Sequence, residues 1–122
     1  MSLTGFTLIE LIIVVVIIGI LAGLALIKYG PVTEKARSAE AYSALANIVG
    51  AENAYKLEND VYTATLINLD IDIPVSQNFT FSVPNTTGSG YAKATKKGAA
   101  TKDYYMCLAS GKQSVDAIPS CP

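Results

Sequence analysis

Two groups near the start of the chain could do chemistry together. A glycine followed by an aromatic residue, Gly5-Phe6, precedes a carboxylate, Glu10, by four to five positions. Cutting between Gly5 and Phe6 would leave Phe6 with a positively charged α-amino group. That amine and the Glu10 carboxylate could neutralise each other, within one subunit or across two packed side by side. Across two subunits the pair becomes an assembly register. A chain docked too high or too low leaves an unpaired charge in apolar surroundings, and that penalty supplies selectivity. No conventional reactive centre competes with this one. With no histidine, no Ser/His or Cys/His set and no phosphate-cradling glycine loop, the chain reads as a non-enzyme without a cofactor.

The element that must carry Glu10 is apolar. Leu11 to Ile27 are about 17 uncharged residues. Roughly 20 apolar residues rising about 1.5 Å each span the hydrocarbon core of a bilayer as a helix. An ionised side chain at the centre of such a helix costs about 2.5–3.5 kcal/mol, and less near an end, so a carboxylate there is a functional hypothesis by default. Other readings fit less well. A secretory signal could use Gly23-Leu24-Ala25 as its cut site, yet no Lys or Arg precedes the apolar run and Glu10 interrupts it. A plain membrane anchor explains the length but neither Gly5-Phe6 nor Glu10. A chain of 122 residues could hardly enclose this helix on all sides as a buried core.

The heptapeptide Gly5-Phe6-Thr7-Leu8-Ile9-Glu10-Leu11, running into an Ile/Val/Gly/Ala stretch, resembles the class III signal of type IV pilins and type II secretion pseudopilins. The resemblance is close over residues 5 to 30. A weaker echo, Glu58-Asn59-Asp60-Val61-Tyr62 with Leu66 and Leu69 behind it, resembles the pilin segment after the long helix. The resemblance implies a leader, residues 1–5, and a prepilin peptidase that cuts after Gly5 and N-methylates Phe6. It further implies storage in the inner membrane, then extraction by pilus assembly machinery into a helical homo-oligomeric filament outside the cell. Phe6 and Glu10 would be the assembly residues. Gly19, Gly23 and Pro31 would be flexing points, since the corresponding stretch of type IV pilins can melt in the filament. Small residues that simply allow close helix packing are the alternative. One departure is visible: Met1 to Gly5 carry no Lys or Arg. The positive-inside rule acting on Lys28, Lys35 and Arg37 would favour the opposite orientation, so flanking charge does not supply the one implied.

The function so implied is a type IV pilus subunit serving adhesion, twitching motility or DNA uptake. A type II secretion pseudopilin is the alternative within the family; major pseudopilins carry a Ca²⁺-binding C-terminal loop where this chain has two cysteines. A membrane-anchored binding module that never polymerises is the alternative outside it.

Composition bounds the rest. Nine basic and ten acidic side chains give no general nucleic-acid signature. The basic cluster Lys93, Lys96, Lys97 and Lys102 could touch DNA phosphates, but without arginine or ordered aromatics it reads as a solvated hairpin tip. Cys107 and Cys121 would close a loop worth about 3 kcal/mol in an oxidising compartment, with two reduced thiols as the alternative. A structural zinc site is improbable on two thiols and no histidine. Asp70 and Asp72 offer two carboxylates, far short of the six to eight oxygens Ca²⁺ takes. Asn78-Phe79-Thr80 and Asn85-Thr86-Thr87 fit the N-glycosylation pattern, and both read as accidental. The spacing of Tyr29, Tyr42 and Tyr55 is explained by packing.

The chain organises into an apolar helix, 6–30, an amphipathic continuation, 31–59, and a loop with an antiparallel β head, 60–122, closed by a C-terminal disulfide loop. Ala41, Leu45, Ile48, Ala51 and Tyr55 recur at helical spacing and predict one buried stripe. Glu52 and Lys56 stand at i, i+4 and predict a surface pair. Pro31 removes an amide donor and predicts a kink, or loosening near Ile27. Residues 61–75 read as a loop packing Leu66, Leu69, Ile71 and Ile73 near the helix. Alternation predicts a strand over Asn78–Val83, a turn over Pro84–Gly90, a strand over Tyr91–Thr95, a turn at Lys96–Gly98 and a third strand over Lys102–Leu108. The expected fold is α+β: a lollipop whose long N-terminal helix packs its C-terminal half on a small antiparallel sheet.

Overall fold

Helix α1 spans Leu8–Asn59 in the computed structural model, which describes residues 5–73, 75–98 and 101–122. Residues 1–4 of the expected leader lie outside the described residues. The chain divides into two compact units, one ending at Ala36 and one spanning Arg37–Pro122.

In the first unit α1 runs unbroken through Gly19, Gly23 and Pro31. The loosening expected near Ile27 does not interrupt the helix. Thr33 donates its hydroxyl to the Tyr29 carbonyl at 2.8 Å, adding a side-chain bond where the proline has removed a backbone donor. The large apolar side chains from Leu8 to Ile27 are exposed, with Ile12 to Ile18 about half so. Among the described residues this is the one helix long and apolar enough to cross a membrane.

The second unit holds the core. Ala41, Ala44, Leu45, Ile48 and Val49 are buried at three- and four-residue spacing along α1, which is one face of a 3.6-residue helix. Ala51 and Tyr55 of the expected stripe are half-buried at its edge. The helix stops at Asn59, where Asp60 turns left-handed at φ 64° and gives its N–H to the Lys56 carbonyl at 2.7 Å. Such a left-handed residue is a common way to end a helix.

Beyond a 3₁₀ turn at Leu66–Asn68, four antiparallel strands pair in chain order. They are β1 Phe79–Asn85, β2 Tyr91–Lys96, β3 Asp103–Cys107 and β4 Gln113–Val115. One row of partners crosses the sheet: Phe81, Ala94, Tyr104 and Val115. Phe79, Val83, Ala92, Ala94, Tyr104 and Met106 form the sheet's share of the core, joined by Leu108 just past β3. The Tyr104 ring meets Tyr42 and Phe79 edge-on, centroids 5.4 and 5.7 Å apart, a preferred aromatic geometry.

Two expectations about the sheet are corrected. The first strand continues through Pro84 to Asn85, with a register irregularity between Ser82 and Asn85. A proline fits there because β1 is an edge strand and its outer side needs no donor. A fourth strand, β4, pairs with β3; its three residues are too short to show alternation. Every residue of β3 from Tyr104 to Cys107 is buried, so both its faces are covered. Gly90 sits at a close approach: a Cβ there would meet Leu108 Cδ1 at 3.0 Å and the Asn85 carbonyl at 3.1 Å, tighter than ordinary contact.

Candidate functional site

Gly5, Phe6 and Thr7 precede the helix as irregular backbone. The Gly5–Phe6 peptide bond is therefore free of helical hydrogen bonding. Among the described residues, chain neighbours aside, nothing lies within 4 Å of a Cβ built on Gly5, and Phe6 is 92% exposed. A peptidase can reach such a bond without unwinding α1.

Glu10 sits in the first turn of α1 and is not a bare charge. Its Oε2 accepts from the Thr7 amide at 2.7 Å and from the Thr7 hydroxyl at 2.9 Å. The Glu10 amide in turn donates to Thr7 Oγ1 at 3.3 Å. The Thr7 carbonyl accepts the first helical bond, from the Leu11 amide at 3.3 Å. This is a capping box: Thr7 is the N-cap and Glu10 reaches back to it from the third helical position. A negative charge there also faces the positive end of the helix dipole. Oε1 takes no part in the cap.

Sequence reasoning named Glu10 and missed Thr7, although a Thr-x-x-Glu pattern directly before an apolar run was there to signal it. The expected flexing points Gly19, Gly23 and Pro31 all lie within the same helix.

Cys107 and Cys121 are joined by a disulfide, 14 residues apart in sequence. The bond fastens the C-terminal tail to β3, and both cysteines are buried. The expected surface pair of Glu52 and Lys56 is not formed. Glu52 is fully buried and accepts from the Thr63 amide at 2.9 Å, while the Lys56 ammonium lies 4.5 Å from the centre of the Tyr62 ring. Helical spacing sets two side chains on adjacent turns, but Tyr62 and Thr63, brought back by the turn at Asp60, compete for both.

The lysine cluster is occupied internally. Lys93 pairs with Asp103 at 2.9 Å, which raises the lysine's pKa and lowers the carboxyl's. Lys97 donates to the Ser76 carbonyl at 2.9 Å. The Lys102 ammonium lies 5.8 Å from the centre of the Tyr104 ring. Among the described residues no group of three or more acidic or thiol side chains could hold a metal ion.

Comparison with known proteins bears on the same two regions. Residues 4–26 match the prokaryotic N-terminal methylation motif, and residues 38–118 match the type IV pilin-like G and H family. The chain belongs to the type IV pilin and pseudopilin family. Members of this family are structural subunits, not enzymes. The chain is 34% identical to the type II secretion system core protein G of Vibrio cholerae over 94% of its own length and 77% of the relative's. With the core protein G of Klebsiella pneumoniae it shares 30% identity over 97% and 84%. With the type IV wide pilus major component PilA4 of Thermus thermophilus it shares 33% identity over 97% and 96%. Membership implies filament assembly and processing by a prepilin peptidase, and the apolar helix fits a membrane-anchored precursor.

Proposed function

We propose that this pilin-family chain is the structural subunit of a type IV pilus. It is held in the inner membrane by α1 and is then extracted into a helical filament outside the cell. The observation that carries the reading is the Glu10 cap. A carboxylate half-satisfied by Thr7 at the head of an exposed apolar helix can wait in the membrane at low cost. It still offers Oε1 to a newcomer. Cleavage after Gly5 and methylation of Phe6 create that newcomer, a cationic amine, which meets Glu10 of an adjacent subunit and sets the stagger. Residues Leu8–Ile27 pack as the apolar interior of the filament, and Gly19, Gly23 and Pro31 let α1 loosen as it leaves the bilayer.

Two observations support the pilus over the secretion pseudopilin. A disulfide closes the C-terminal loop, and the match to PilA4 spans 96% of that relative, against 77% for the V. cholerae core protein G. The pseudopilin stays as the second reading because both core protein G relatives match across nearly all of this chain. Calcium-dependent stability of the head would favour it.

The test is assembly in cells that make the filament. Glu10→Ala and Glu10→Gln should both leave the subunit in the membrane and abolish sheared fibres. Wild-type fibres should yield a subunit beginning with methyl-Phe6 by mass spectrometry. Glu10→Gln keeps an oxygen for the Thr7 amide but not the charge. Normal fibres from that variant would show that capping alone matters and would end the charge-register mechanism.

A further inference from the structure

Glu52 is a fully buried carboxylate in the head, far along the chain from the cleavage and docking residues, and the filament reading makes no use of it. Its Oε2 accepts from the Thr63 amide at 2.9 Å, and Oε1 has no hydrogen-bond partner among the described residues. Thr63 is itself a small hub: its hydroxyl accepts from the Thr65 amide at 3.1 Å and from Asn68 Nδ2 at 3.3 Å. Through that one amide, Glu52 holds the segment that leads into the 3₁₀ turn at Leu66–Asn68. The neighbouring tie is neutral. Tyr62 donates its hydroxyl to Asn53 Oδ1 at 3.1 Å, and Asn53 Nδ2 donates to the Leu108 carbonyl at 3.0 Å.

We infer that Glu52 is a proton-operated latch: un-ionised it keeps segment 60–69 docked on α1, and ionised it lets that segment go. A buried carboxylate with one donor is poorly compensated for lost hydration. The stronger bond an anion makes to the Thr63 amide opposes release. Burial outweighs that amide and raises the carboxyl's pKa.

Among the described residues no ion pair or hydrogen bond brings a cation to Glu52. Lys56, one turn on, is drawn to Tyr62, and Glu40, three turns back, is bound by Ser76 and Asn78. On the segment, Asp60 is exposed. On the sheet, Lys93 and Asp103 pair with each other, Lys97 serves Ser76, and Lys102 lies over Tyr104. Beyond it, Lys112 donates to the Ser120 hydroxyl and Asp116 accepts from the Asp103 amide.

The sign follows from the raised pKa. The closed latch binds a proton that the open one gives up, so closure is complete on the acid side. It weakens as pH rises from the ordinary glutamate range through the raised value. What opens carries apolar surface: Val61 and Ile67 are already 59% and 88% exposed, and Leu66 and Leu69 would join them.

The experiment uses the full chain in zwitterionic detergent micelles. Protection of the Thr63 amide against hydrogen exchange, corrected for intrinsic rate, should fall with rising pH. The limit is about tenfold per pH unit between the two pKa values. Glu52→Gln keeps the oxygen for Thr63 but cannot ionise, and its protection should be flat. Equal pH dependence in both proteins would overturn the latch. Should the variant fold poorly, the Glu52 carboxyl carbon can be titrated by NMR in the wild type. A value at or below that of an ordinary glutamate would overturn it too. Because the readout lies in residues 60–69, it stands or falls separately from filament assembly.

Discussion

Replacing Cys107 and Cys121 together by alanine removes the disulfide that fastens the C-terminal tail to β3. With the bridged positions 14 apart in sequence, the chain-entropy relation puts the lost stabilisation at about 3 kcal/mol. The compact unit that bears the cost is Arg37–Pro122. At ~2 cal/mol/K of unfolding entropy per residue, a loss of that size lowers its melting temperature by about 15 °C. The assay is near-ultraviolet circular dichroism of the full chain in detergent, because every tyrosine but Tyr29 lies in that unit. A urea titration of the same sample should show a steeper slope, since the unfolded chain is no longer cross-linked and exposes more surface. A fall under about 5 °C with an unchanged slope would refute the loop-closure reasoning. Complete loss of folding would refute it as well, by showing that the strap supplies packing rather than connectivity.

Leu45→Ala, at a fully buried position on α1, should cost about 2–5 kcal/mol in the same melt. Leu57→Ala, at an 87% exposed position on the same helix, should stay within about 0.5 kcal/mol. Glu40 accepts from the Ser76 hydroxyl at 2.6 Å and from Asn78 Nδ2 at 3.0 Å, and the serine bond leads in holding its pKa below the ordinary value. A depressed carboxyl stabilises above the unfolded pKa and loses that contribution as pH falls through the folded one. Glu40→Gln should therefore be less stable than wild type at neutral pH, with the gap closing in acid. A gap that persists in acid would point to lost packing instead.

Much of the molecule was legible in the sequence because it is local. The class III motif and the apolar run are read residue by residue, and the helical spacing of Ala41, Leu45 and Ile48 fixed the buried face before any partner was known. Period-two alternation at Phe79, Phe81 and Val83 likewise placed β1. What was misread depends on residues distant in the chain. Pro84 looks like a turn until the strand is known to be an edge. Gln113-Ser114-Val115 shows no pattern and becomes a strand because β3 offers its hydrogen bonds. Glu52 looks like half of a surface pair until the chain turns at Asp60 and brings back the Thr63 amide.

The same division separates the two carboxylates that matter most here. Glu10 owes its setting to Thr7, three positions back, and an apolar run, so order along the chain determines both its position and the cap that holds it. Glu52 owes its setting to a loop, a sheet and the burial they impose together. Hydrophobic pattern states which face of a helix is turned inward. Only the packed tertiary structure decides which polar group is trapped there, because solvation is lost to whatever the rest of the chain lays on top.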